Sequence, residues 1–240
     1  MYRPLCFLKA VCVIGVCVLA ISCEHDQGTV SKTVVVVGDQ TPSMREFQAR
    51  NQEFVSRLIG KLESDDEFYL VPVSGAGFGQ ARIALYRKMP ADLSRFEPAL
   101  MMAREQLIQE WNAIADSCVS RGPYSNIFDS IAFSELCFQG KTTASWLVAV
   151  SDFRHATPAL NIERADTVDV EATIKQLRKL SLVPNLSGVR LAVVSVHPRG
   201  KTPQYYQSIT RLIRRFAEES HAELVALSSD VSWEPFSQTR

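Results

Sequence analysis

Three oxygen-bearing side chains alternate within five positions of one short segment. The segment reads Gly38-Asp39-Gln40-Thr41-Pro42-Ser43-Met44 and follows four consecutive valines, Val34 to Val37. In an extended or turning chain, alternate side chains point to the same side, so Asp39, Thr41 and Ser43 can converge on one point. A carboxylate joined by hydroxyl oxygens suits a hard cation, Mg2+ or Mn2+. Asp39 gives the firmest signal, because a carboxylate just after an apolar strand needs a partner once it leaves water. A plainer role is open to Ser43. Ser43-Met44-Arg45-Glu46 fits a capping box, in which the serine satisfies the free amides of a helix start.

The elements that must position these residues can be read from periodicity. Thr33 to Val37 is β-branched and apolar on both faces, as in a central parallel strand. Ser43 to Leu62 carries Phe47, Phe54, Val55, Leu58, Ile59 and Leu62 on one helical stripe. Phe68 to Ser74 and Ala81 to Lys88 are strands joined across Gly75, Gly77 and Gly79. The link is too short for a crossover helix, so the two should form a hairpin. Leu93 to about Cys118 and Ile127 to Leu136 are helices, and Trp146 to Val150 is a strand. Asp169 to Leu180 is a helix, Val189 to Val196 a strand, Pro203 to His221 a helix and Glu223 to Leu227 the last strand. This order predicts an α/β fold: a doubly wound, mostly parallel six-stranded sheet with one antiparallel edge strand and helices on both faces. Ligands in such sheets sit beyond the carboxyl ends of the strands, so the loops after Val37 and Val150 are where chemistry is expected.

At this point a family resemblance enters. An apolar strand, then Asp-x-Thr-x-Ser, then Met and an amphipathic helix, resembles the first motif of von Willebrand factor A domains. That motif opens the family's metal-ion-dependent adhesion site. The family draws a second hydroxyl ligand from another loop and an Asp from a third. Tyr124-Ser125-Asn126-Ile127-Phe128-Asp129 resembles the second motif, with Ser125 in the place of a Thr. Trp146-Leu147-Val148-Ala149-Val150-Ser151-Asp152 resembles the strand that ends in the third-loop Asp. The resemblance runs from about Thr33 to Ser228, and it implies Asp39, Thr41, Ser43, Ser125 and Asp152 as ligands of Mg2+ or Mn2+. It also implies an open coordination position filled by an acidic residue of a protein partner. Gly38, Pro42 and Phe153 depart from the pattern, and Phe153, where the family has Gly, is expected to crowd the site. Ser125 could instead cap its helix, and Asp152 could simply form a turn.

The first 22 residues form a separate object. Arg3 and Lys9 precede the apolar run Ala10 to Ile21, which is far shorter than the roughly 20 residues of a spanning helix. The run reads as a signal-peptide core. It ends in Leu19-Ala20-Ile21-Ser22-Cys23, which resembles the lipobox of bacterial lipoproteins and implies acylation of Cys23. A plain secretory signal and an uncleaved anchor are the alternatives. Residues 23–32 then form a polar tether, and 33–240 the folded domain. The expected location is the bacterial cell envelope. Cys118 and Cys137, isolated together in an exported domain, suggest one disulfide, with two buried thiols as the alternative.

Composition and spacing exclude other classes. Lys plus Arg equals Asp plus Glu, at 26 each, so no basic excess exists to collect the phosphates of nucleic acid. Neither the four histidines nor the mature cysteines show zinc-ligand spacing. Gly75-x-Gly77-x-Gly79 does not open a helix, which argues against a dinucleotide site. No nucleophile elbow flanks any serine. Arg211, Arg214 and Arg215 read as a solvated helix face. Binding to a partner, without catalysis, is therefore the leading expectation. Two alternatives remain: a metal-free scaffold of the same fold, and a Mg2+-dependent phosphatase loosely resembling the haloacid dehalogenases, with Asp39 as nucleophile. For the phosphatase, Thr41 stands where that family has a second acid.

Overall fold

β1 (Lys32–Asp39) is buried along its whole length, as a strand apolar on both faces requires. The computed structural model describes residues 31–73, 75, 79–91, 97–117, 124–234 and 236. The signal segment, Cys23, most of the tether and Cys118 lie outside the described residues. Val35 and Val37 enter one core and Val34 and Val36 the other, so each valine pair serves one face of the sheet.

The chain continues through a 3-10 turn (Pro42–Phe47) into α1 (Gln48–Gly60), then β2 (Glu67–Val73) and β3 (Leu85–Lys88). Next come α2 (Glu97–Ser117), α3 (Ile127–Ser134), β4 (Ala144–Val150) and α4 (Val170–Lys179). β5 (Val189–Val194), α5 (Pro203–Glu219) and β6 (Glu223–Leu227) complete it. The sheet order is β3-β2-β1-β4-β5-β6. Every pairing is parallel except β2 with β3, which is antiparallel at the edge. This is the expected architecture. Its bounds differ in two useful ways: β3 is shorter than the sequence suggests, and β1 runs two residues further, through Gly38 and Asp39.

Helices cover both faces. Phe54, Val55, Leu58 and Ile59 of α1 and Leu107 and Trp111 of α2 pack on Val34, Val36, Trp146 and Val148. Phe128 of α3, Ile174 and Leu177 of α4 and Phe216 of α5 pack on the opposite side with Val35, Val37, Leu147 and Leu191. The arginine cluster of α5 is indeed solvated: Arg211 and Arg214 are exposed, and Arg215 pairs with Glu171, Glu218 and Glu219. Among the described residues, no helix is long and apolar enough to cross a membrane. Cys137 is buried as a free thiol, so the expected bridge to Cys118 is not supported. Burial pushes this thiol up to about 11, which keeps it protonated and inert.

Gly38 lies under the indole of Trp111. A Cβ there would meet Leu70 Cδ1 at 3.6 Å and Trp111 Cη2 at 3.8 Å, both ordinary contacts. The departure at Gly38 therefore marks spare room and not a forced backbone. Gly38→Ala should fold and gain about 0.5–1 kcal/mol, through added burial and a less flexible unfolded chain. Urea unfolding checks this, and a loss of stability would show that Trp111 cannot yield.

Candidate functional site

The site begins with strand register. Gly38 of β1 lies opposite Val150 of β4, so Asp39 and Ser151 are carried to the same end of neighbouring parallel strands. Ser151 Oγ donates to Asp39 Oδ2 at 2.6 Å. The Thr41 amide donates to Asp39 Oδ1 at 2.9 Å, which folds the chain back immediately after the strand. Asp39 is 2% exposed. Pro42 then opens the 3-10 turn, where its missing N–H costs nothing.

Ser43 does not cap a helix. The cap position falls on Thr41, with no side-chain capping bond. Ser43 Oγ instead lies 3.2 Å from Thr41 Oγ1, so the two hydroxyls cluster beside Asp39. Ser125 does not cap either: α3 is entered from Asn126, again without a side-chain capping bond. The Ser125 hydroxyl is buried and has no hydrogen-bond partner. An orphaned buried hydroxyl is uncommon, and it leaves a lone pair available for a ligand.

The third loop is built by Phe153. Its φ is +59°, in the left-handed region that favours glycine and costs other residues about 1–2 kcal/mol. The expected crowding does not occur. The Phe153 ring is fully buried in the core and meets Phe128 edge-on at 5.8 Å. Packing holds the turn that glycine elsewhere would make freely. The turn brings the Arg154 amide to Asp152 Oδ1 at 3.1 Å. Two residues later, Ala156 and Ser125 exchange both backbone hydrogen bonds, at 3.0 and 2.9 Å. The second and third loops are thereby tied together.

Asp152 is also 2% exposed, so two carboxylates are buried at one end of the sheet. Burial raises both above the usual range. Asp152 is pushed up to about 7, first by burial and then by the charge of Asp39; Arg154 and the Ser43 hydroxyl pull the other way. His155 and His197, buried beside the loop, are held down to about 4 by loss of water.

Asp39, Thr41, Ser43 and Asp152 thus come together, and the loop that carries Ser125 is paired to the third loop through Ala156. Sequence reasoning missed Ser151 and Arg154. Ser151 could have been found from the register of β1 and β4. Arg154 carries no such signal, because only the left-handed turn aims it. No group of three or more His, Cys, Asp or Glu among the described residues could hold a metal ion, so an ion here must use hydroxyl oxygens. The donors present fit a hard cation on that basis: two carboxylates short of positive charge and three hydroxyls, one of them orphaned.

No protein-family model matches the chain, and no curated protein matches it. Solved structures do. The PilB minor pilin from Streptococcus sanguinis superposes with a TM-score of 0.53 at 14% identity, over 84% of this chain and 58% of that one. The pilus adhesin SpaC from Lactobacillus rhamnosus GG gives 0.51 at 9% identity, over 85% of this chain and 28% of that one. A von Willebrand factor type A protein from Catenulispora acidiphila aligns at 14% identity over 80% of this chain and 42% of that one, with a TM-score of 0.45. The chain therefore spans little more than half of the pilin and under a third of the adhesin. Its fold, with strand order 3-2-1-4-5-6 and one antiparallel edge, is shared with the pilin and the adhesin.

The buried carboxylates and histidines predict opposing effects of pH. An unfolded aspartate titrates at about 3.9, and folded Asp152 at about 7. Between these values the folded chain keeps a proton that the unfolded chain has lost, so this group's contribution falls as pH rises. The histidines act in reverse. As pH falls from about 6.5 to about 4, the unfolded chain gains protons that the folded chain refuses, and stability falls in acid. Asp152→Asn removes the contribution of that group and leaves those of the histidines in place. In metal-free buffer, its stability to urea should therefore improve relative to the natural chain as pH rises from ~4 to ~7, by up to about 1.4 kcal/mol per pH unit. A constant difference across that range would show that Asp152 titrates normally.

Proposed function

We propose that the chain is an exported, envelope-anchored adhesion or assembly module that grips a partner's carboxylate through a divalent cation. The observation that carries this reading is the pair of buried carboxylates, Asp39 and Asp152, set beside Thr41 and Ser43, with the unpartnered hydroxyl of Ser125 on a loop paired to the one that carries Asp152. The fold supports it as well, since the pilin and the adhesin share it. Cys23 would provide the lipid anchor and residues 24–32 the reach, on the sequence reading alone.

Asp39, Thr41, Ser43, Ser125 and Asp152 would hold Mg2+ or Mn2+, directly or through water. When bound, the ion supplies a Lewis-acidic position for an incoming acid. The chain's own part is electrostatic. Two carboxylates and three neutral hydroxyls roughly balance a doubly charged ion but do not oversupply it, so an additional carboxylate from a partner stays favourable. Ser151 and the Thr41 amide each engage one oxygen of Asp39, which fixes the carboxylate and keeps its remaining lone pairs inward.

Calorimetric titration of the purified protein tests the proposal. Mn2+ should bind the natural chain, at least 100-fold more weakly the Asp39→Asn variant, and about tenfold more weakly Ser125→Ala. At a hundredfold excess over the Kd, the ion should stabilise the natural chain by about 2.7 kcal/mol. Envelope proteins captured on the immobilised chain in Mg2+ should be released by a chelator, and Asp39→Asn should capture none. Equal Mn2+ affinity in the natural chain and Asp39→Asn would remove Asp39 from the site.

A further inference from the structure

Arg154 has no counterpart among the ligands just described, yet it reaches them. Its Nε lies 3.2 Å from Asp152 Oδ2. Both atoms are buried, and neither has a hydrogen-bond partner, so the contact is one of charge and not of an aligned bond. Among the described residues, the far end of the guanidinium is held by main-chain carbonyls: Nη2 donates to His197 O at 3.4 Å and to Arg199 O. Arg199 itself pairs with Glu46 at the surface. Arg154 as a whole is 8% exposed, and it is turned onto Asp152 by the left-handed Phe153.

A buried arginine usually ends in a two-pronged bond to a carboxylate, because its planar fork matches that group. Here one nitrogen, Nη2, reaches both carbonyls, and Nε faces the acid without an aligned bond. A carboxylate that needs a positive charge is thus served by a loosely seated one. Positive charges brought to the same carboxylate repel one another strongly at low effective dielectric, so a guanidinium and a divalent ion cannot share Asp152 without cost.

We propose that Arg154 is a tethered counter-cation that occupies the metal site from within, so that a divalent ion binds only by displacing its guanidinium from Asp152. This rests on the metal-binding reading above. The consequence is a raised threshold: the site stays closed at low ion concentration and opens when the ion outcompetes the arginine. Phe153 sets the device, since its turn aims the side chain.

The test compares Mn2+ affinity by calorimetry in the natural chain, Arg154→Gln and Arg154→Lys, each in the purified protein. Arg154→Gln should bind at least tenfold more tightly and melt lower than the natural chain in chelator. Arg154→Lys, which keeps the charge and loses the fork, should stay within about threefold of the natural affinity. If Arg154 merely braces the turn at residues 197–199, both variants should lose stability alike and neither should tighten binding, which overturns the proposal. Equal affinity in all three proteins overturns it too and leaves the metal reading intact. Binding by none of them overturns both. Should Arg154→Gln fail to fold, the natural chain still decides: the Arg154 Nε resonance should shift as Mg2+ is added, and an unmoved resonance sinks the exchange.

Discussion

Two carboxylates are taken out of water at the end of two adjacent strands, and the surrounding structure is organised to tolerate them. Asp39 closes β1, and Asp152 follows β4 by two residues. Neither can reach bulk solvent. Burying a charge without compensation is among the costliest things a fold can do. The compensation is spread over several groups: a hydroxyl from Ser151, the amides of Thr41 and Arg154, and the guanidinium of Arg154. None of these neutralises both acids. The site is therefore short of positive charge by construction, and that deficit is what the proposed ion would meet.

The loops that hold this deficit are rigid for reasons lying in the core beneath them. Phe128 of α3 packs on Phe153 and on Phe216 of α5. One aromatic cluster thus fixes the helix that follows Ser125, the turn that follows Asp152 and a helix of the outer layer. The backbone pairing of Ser125 with Ala156 then sets the distance between the two loops. Preorganisation of this kind matters for weak neutral ligands. A hydroxyl contributes little to a cation unless it is already in place, because ordering it on binding would consume most of the gain.

The architecture was legible because its signals are local and redundant. The four valines announce a strand buried on both faces, the short link after Val73 announces a hairpin, and the helical stripes announce the covering layers. The gathering of Asp39, Thr41 and Ser43 was legible for the same reason: they sit within five residues of one another. What was not legible depends on contacts between distant segments. Ser151 matters only because β4 lies beside β1 in one particular register. Phe153 reads as an obstruction when set beside a family glycine, yet tertiary packing turns its ring inward and makes it the pivot. The capping box at Ser43 is a real local signal that lost, because Pro42 starts a 3-10 turn one residue earlier and moves the cap to Thr41. The pairing of Cys118 with Cys137 was inferred from isolation alone, which says nothing of geometry.

Arg154 shows why a matched motif is an incomplete description of a site. The five residues of the adhesion pattern specify oxygen donors, and donors specify an ion only when nothing nearer satisfies them. A guanidinium two residues from Asp152 changes that competition without touching the pattern. The same five donors then belong to a domain that binds its ion weakly and conditionally, or in the limit to one that needs no ion. Which regime applies depends on how firmly the arginine is seated. Its Nη2 reaches two backbone carbonyls, and its Nε faces Asp152 out of alignment. Its hold on Asp152 is one of charge alone, the kind of contact that a stronger cation displaces. On the proposed reading, the arginine guards the site from within until an ion displaces it.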